Sequence, residues 1–258
     1  MQTEGHLVID LEAPETWPLD VRKFLAERYE LFLDWADGPT RFGARVYDGA
    51  ILALSELLQP YAVTGWHCTR LTLAEIAVIL DSGLSLPDAR MLDRRIDALV
   101  ELDMFSQDVG KKLKAENQAH EKNRAGMVWF CFFPPHLAGE SGIGDFMRFW
   151  GGEALYNSHD QDPLTGPAIR SIGIPAIVEA DVPISSLASY GLVFKMVRRF
   201  LISRGYQTTE SCDHEDRIKQ PLPATCIRRV IRFPEFDFMG LSGCALWKEP
   251  LVIFPDRV

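Results

Sequence analysis

The sequence predicts an α+β fold, and three observations carry that prediction. Residues 1–60 follow a helical apolar period, a strand-like run over 61–71 is followed at once by a capped helix, and short apolar runs between prolines mark the last third. At 258 residues, 47% hydrophobic and 24% charged, the chain is long enough to bury a sizeable core.

Residues 21–36 set Phe24, Leu25, Tyr29, Leu31, Phe32 and Trp35 along one amphipathic pattern, and 51–58 continues it, so 1–60 reads as an N-terminal helical layer. Pro60 ends that layer, and 61–258 reads as one further compact unit. Tyr61 to Leu71 is rich in β-branched and aromatic residues, as a strand should be. Thr72 is a predicted N-cap with Glu75 three residues on, a capping box; Leu73, Ile76, Ala77 and Leu80 give the helix its apolar face, and Gly83 stops it.

Residues 87–102 and 106–124 predict two more helices, the second polar enough to lie on the surface or form a mobile arm. Met127 to Phe133 is too uniformly apolar for a one-sided strand, which predicts a place in the buried middle of a sheet. The glycine-rich stretch 139–144 reads as a loop, because its spacing is not that of a dinucleotide cradle. Residues 142–156 carry Phe146, Phe149, Trp150 and Tyr156, with Gly151-Gly152 marking a helix break or a close backbone approach. A strand over 174–182, a helix over 193–203 and strands around Ile218, 226–231 and 251–254 complete a β-rich C-terminal third.

No apolar stretch approaches the roughly 20 residues of a membrane span. The opening Met1-Gln2-Thr3-Glu4-Gly5-His6 has no basic region leading into an apolar run, so the expected location is cytoplasmic. The five cysteines are odd in number and widely spaced, which predicts reduced thiols; no metal is expected, Cys212 and His214 making at most half a site. A net charge of −9 argues against a surface that is basic throughout. The basic runs Lys111, Lys112, Lys114, Lys122, Arg124 and Arg198, Arg199, Arg204 read as solvated helix faces. Phosphate-loop, nucleophile-elbow and zinc-helix motifs are absent.

The unusual stretch is Trp66-His67-Cys68-Thr69-Arg70-Leu71 with the helix that follows it to Gly83-Leu84. It resembles the H-x-T strand and helix of the ADP-ribosyltransferase superfamily, in its histidine, tyrosine and glutamate branch. Two downstream segments strengthen the resemblance: Phe149-Trp150-Gly151-Gly152-Glu153-Ala154-Leu155-Tyr156, and Glu210 to Ile218 followed by Pro221, Pro223 and 227–231. The resemblance implies a split, mixed or antiparallel sheet core with NAD as co-substrate. His67 would hold the adenosine ribose, Thr69 would support the nicotinamide end, and Arg70 would reach a pyrophosphate oxygen. Gly152 would let backbone approach the ligand, and Tyr156 would stack on nicotinamide, with Trp129 as its rival. Glu215 would be the catalytic carboxylate, with Glu153, Glu210 and Glu179 in reserve.

A carboxylate suits that chemistry, because cleaving the nicotinamide bond builds positive charge on the ribose and the acceptor must lose a proton. The implied activity is transfer of ADP-ribose to a macromolecule (RNA, DNA or protein), as in a toxin or antiviral defence enzyme that an antitoxin or chaperone would accompany. NAD hydrolysis and RNA 2′-phosphotransfer are alternatives on the same fold, and a non-catalytic protein-binding module is the alternative from another class.

Overall fold

The computed structural model describes residues 7–189 and 191–255; Met1 to His6, read above for a signal, lies outside them. The elements run β1 (Val8–Ile9), α1 (Leu19–Glu27), α2 (Tyr29–Ala36), α3 (Ala44–Leu58), β2 (Ala62–Leu71), α4 (Leu73–Ser82), α5 (Ala89–Glu101), α6 (Gln107–Ala115) and β3 (Val128–Cys131). They continue α7 (Gly139–Arg148), α8 (Glu153–His159), α9 (Thr165–Ser171), β4 (Ile174–Pro183), α10 (Gly191–Ser203), β5 (Glu215–Ile218), β6 (Ile227–Arg232) and α11 (Phe236–Ser242). The fold is α+β, with eleven helices and a six-stranded, mostly antiparallel open sheet among the described residues. Strand order is β5-β3-β2-β4-β6, and β1 pairs in parallel with the start of β2 through Val8 and Ala62. β4 and β6 are antiparallel, with Glu179 opposite Arg229. Among the described residues no helix is long and apolar enough to cross a membrane.

The chain divides into two compact units, one drawn from Met1–Gly65, Cys131–Phe133 and Asp181–Arg217, the other from Trp66–Phe130, Pro134–Ala180 and Ile218–Val258. In the first, α10 packs on α2 and α3, and Tyr29 meets Phe200 edge to face at 6.4 Å. Leu25, Leu54 and Leu58 are fully buried there, which stabilises the layer by about 1.5–3 kcal/mol each. The helix expected over 21–36 is two helices. At Arg28 the backbone amide bonds Ala26 O, while the guanidinium, 3.8 Å from the Phe24 ring centroid, donates to Phe24 O at 3.3 Å. A side chain has replaced the ladder bond that would have continued the helix.

In the second unit, α5, α6, α8 and α9 surround Trp150, which is fully buried with Ile96, Leu113, Leu155 and Ile169. The polar helix expected over 106–124 stops at Ala115, because the Asn117 side chain donates to the carbonyls of Leu113 and Lys114 at 3.3 and 2.9 Å and caps it. It packs against its unit: Val109 and Leu113 are buried, and Lys114 pairs with Asp97 at 2.5 Å.

Three further expectations are corrected. Residues 139–148 form helix α7 rather than a loop. A Cβ on Gly144 would lie 2.5 Å from Arg148 Nη1, so that glycine makes room for a buried guanidinium, a tertiary requirement that spacing alone does not reveal. β3 does lie inside the sheet, between β5 and β2, but it is one-sided, since Val128 and Phe130 are buried whereas Trp129 is 41% exposed. The C-terminal third is less β-rich than expected: α11 intervenes and 251–254 forms no strand. The carbonyl of Val252 instead accepts from Arg70 Nη2 at 2.9 Å.

Candidate functional site

Strand pleating decides which of the β2 side chains can act together. Alternation places His67 and Thr69, both half-buried, on one face and Trp66, Cys68 and Arg70, all buried, on the other. The His67 Nδ1 lies 2.9 Å from the Trp129 carbonyl oxygen, and its ring tilts against Phe130 with centroids 5.9 Å apart. A carbonyl only accepts, so Nδ1 carries the proton and donates. Burial pushes the imidazole below the usual histidine range, which keeps it neutral near pH 7 and leaves Nε2 as a lone-pair acceptor. The strand pair therefore presents an oriented acceptor on β2 and, on β3, the exposed indole of the residue that orients it.

Arg70 lies on the opposite face, 1% exposed, with Nε on Ile172 O at 2.6 Å, Nη1 on Met147 O at 3.2 Å and Nη2 on Val252 O at 2.9 Å. Burial, with Arg170 nearby, lowers its guanidinium to about 10. The phosphate role expected of it is corrected: it ties three backbone segments together in the interior.

Tyr156 and Glu153 come together on α8. The Tyr156 ring meets Phe146 edge to face at 5.7 Å and Phe149 at 6.0 Å. Burial raises its phenol, and the neighbouring Glu153 carboxylate raises it further. Glu153 also lies 3.4 Å from Arg124 Nε. Among the described residues Tyr156 and His67 make no hydrogen bond or ring contact with each other. Gly151 takes φ +88°, where a Cβ would lie 2.4 Å from Leu155 Cδ1, so the close approach at the glycine pair is to the protein's own core. Gly152, at φ +61°, caps α8 and accepts from Leu155 N and Tyr156 N at 3.0 Å each.

Glu215 opens β5 as an exposed residue of the first unit, whereas His67, Trp129, Tyr156 and Glu153 belong to the second. In the first unit Asp216 is buried and accepts from Ser189 N and Oγ at 3.0 and 2.8 Å. His214, pushed down by burial, gives its carbonyl to Phe132 N, and Glu210 pairs with Arg198. Glu179, in the second unit, is held by Arg229 at 2.9 Å and Arg228 at 3.4 Å. Among the described residues no group of His, Cys, Asp and Glu has the arrangement to hold a metal.

The basic runs are largely neutralised. Lys112 pairs with Asp162, Lys114 with Asp97 and Arg124 with Glu121; Arg199 donates to Leu11 O and Glu12 O.

A second cluster sits in the same unit as His67, and sequence reasoning saw only parts of it. Glu75 Oε2 closes the capping box on Thr72 N at 2.8 Å and accepts from Trp150 Nε1 at 3.1 Å; its Oε1 accepts from Arg95 Nε at 2.6 Å. Burial opposes ionisation of Glu75, but Arg95 and these donors outweigh it and hold the carboxyl below its usual range. The Arg95 guanidinium lies over the Trp150 indole, 4.6 Å from a ring centroid. The capping box was legible; that the same carboxylate would orient an arginine 20 residues on was not.

No family model, curated protein or solved structure matches this chain.

Proposed function

We propose that this chain binds NAD on the β2–β3 strand pair and transfers its ADP-ribose to an acceptor. The observation that carries the proposal is the neutral, oriented His67 with Nε2 as acceptor, held by the backbone carbonyl of Trp129, whose own side chain is 41% exposed. A ribose hydroxyl donates to such a nitrogen, and a flat indole suits either the adenine or the cationic nicotinamide ring. His67 fixes the ribose, Trp129 supplies the stacking surface and Thr69, on the same face, lines the nicotinamide end.

The bond that breaks joins C1′ of the ribose to the nicotinamide nitrogen, and nicotinamide leaves with the electron pair. The chemistry calls for a carboxylate that stabilises the positive charge on the ribose and takes the proton from the attacking acceptor, whose lone pair forms the new bond to C1′; the resemblance assigns that role to Glu215. Glu153 is the alternative carboxylate. The net charge of −9 and the paired lysines of α6 favour a protein or small-molecule acceptor over nucleic acid. With Arg70 bound to backbone carbonyls, the 2′-phosphotransferase alternative loses its expected phosphate contact.

The test is release of nicotinamide from NAD, followed by mass spectrometry of the products. A gain of one ADP-ribosyl unit on an acceptor supports transfer, and free ADP-ribose identifies hydrolysis by the same site. No release and no NAD binding by the wild-type chain would sink the proposal in favour of a binding module.

A further inference from the structure

The arginines of the second unit differ in how their terminal nitrogens are used. Arg70 gives both to backbone carbonyls, Arg148 gives them to Glu140, Asp145 and Glu249 O, and Arg170 reaches Glu249. Arg95 uses Nε alone, on Glu75 Oε1 at 2.6 Å. Neither Nη1 nor Nη2 of Arg95 has a protein partner among the described residues, and its side chain keeps 27% exposure.

The geometry points to the free edge of Arg95 as a binding site for a phosphate or pyrophosphate group, built by Glu75 and Trp150. A guanidinium recognises phosphate through two parallel N–H donors, so what matters is that its plane and its outward edge are fixed beforehand. Glu75 fixes one edge and the Trp150 indole fixes the plane. Glu75 is itself held by the Thr72 amide and the Trp150 N–H, so the support is rigid. Its negative charge does not cancel the site, because it lies in the first turn of α4, where the helix amides offset a carboxylate. Arg95 and His67 belong to the same unit; on the reading of His67 as a ribose contact, a nucleotide is the ligand that would present both an anion and a hydroxyl to it.

This inference rests in part on reading the His67 face as a nucleotide site, and the phosphate has two sources, a dinucleotide or a nucleic-acid backbone. Calorimetric titration of the full chain with inorganic pyrophosphate, NAD and a single-stranded oligonucleotide separates them, repeated with Arg95→Gln and Arg95→Lys. Pyrophosphate and NAD are expected to bind the wild type. Arg95→Gln should weaken both by about ten- to a hundredfold, with Arg95→Lys between, since lysine keeps the charge and loses the fork. Oligonucleotide binding lost in Arg95→Gln, with no NAD binding by the wild type, would keep the anion site and remove the NAD assignment. Equal pyrophosphate affinity in wild type and variant, or none in the wild type, overturns the inference; NAD binding that persists there leaves the proposed function standing. If Arg95→Gln does not fold, Arg95→Lys decides alone, and unchanged affinity overturns the inference.

Discussion

His67 and Trp129 are joined by one hydrogen bond, from the imidazole Nδ1 to the Trp129 carbonyl oxygen at 2.9 Å. The bond fixes the tautomer, and the tautomer decides what the strand pair offers a ligand.

Asparagine places a donor near Nδ1 and nothing at Nε2, while glutamine reaches the Nε2 position. His67→Asn should therefore fold as the wild type does and bind NAD about tenfold more weakly, and His67→Gln should recover part of the loss. Trp129→Ala should weaken binding by about 1–3 kcal/mol through lost stacking. Titration calorimetry reads all three, and equal affinity for all would remove His67 and Trp129 from the site.

The pH dependence follows from the direction of the His67 shift. Its folded-state pKa lies below the ordinary value of 6.5 because of burial, so the folded chain resists the proton that the unfolded chain takes up. The stability this contributes is complete above about 6.5 and is lost as pH falls through the folded value. NAD affinity should be flat from neutral pH upward and fall in acid as Nε2 becomes a donor. An NMR titration of His67 checks the direction, and a pKa above 6.5 would contradict it.

Arg70→Met should destabilise the fold by about 3 kcal/mol or more, since three carbonyls lose their donor in the interior. Urea denaturation measures this. Unchanged stability together with lost NAD binding would return Arg70 to the ligand role that the sequence suggested.

Gly151→Ala should cost about 1–3 kcal/mol, because the residue is held at φ +88° and the new methyl would meet Leu155 Cδ1 at 2.4 Å. A thermal melt within a degree of the wild type would show that the turn relaxes.

Much of the frame was legible in local chemistry: the capping box at Thr72 and Glu75, the stop at Gly83 and the strand that carries His67 lie where pattern and propensity put them. Tertiary partners decided what pattern could not. Arg70 follows His67 by three residues and so points to the other face, where backbone carbonyls claim it. Gly144 signals a loop by composition and serves a helix by making room for Arg148. Arg95 carries no motif, and its orientation depends on Glu75 and Trp150, which are distant in sequence and meet it only in the folded chain.

The most direct measurement of the central claim is an experimental structure of the chain with a non-hydrolysable NAD analogue. The account predicts a ribose hydroxyl within hydrogen-bond distance of His67 Nε2 and a ligand ring against Trp129. An analogue that binds with its ribose away from His67, or that fails to bind at all, would contradict it.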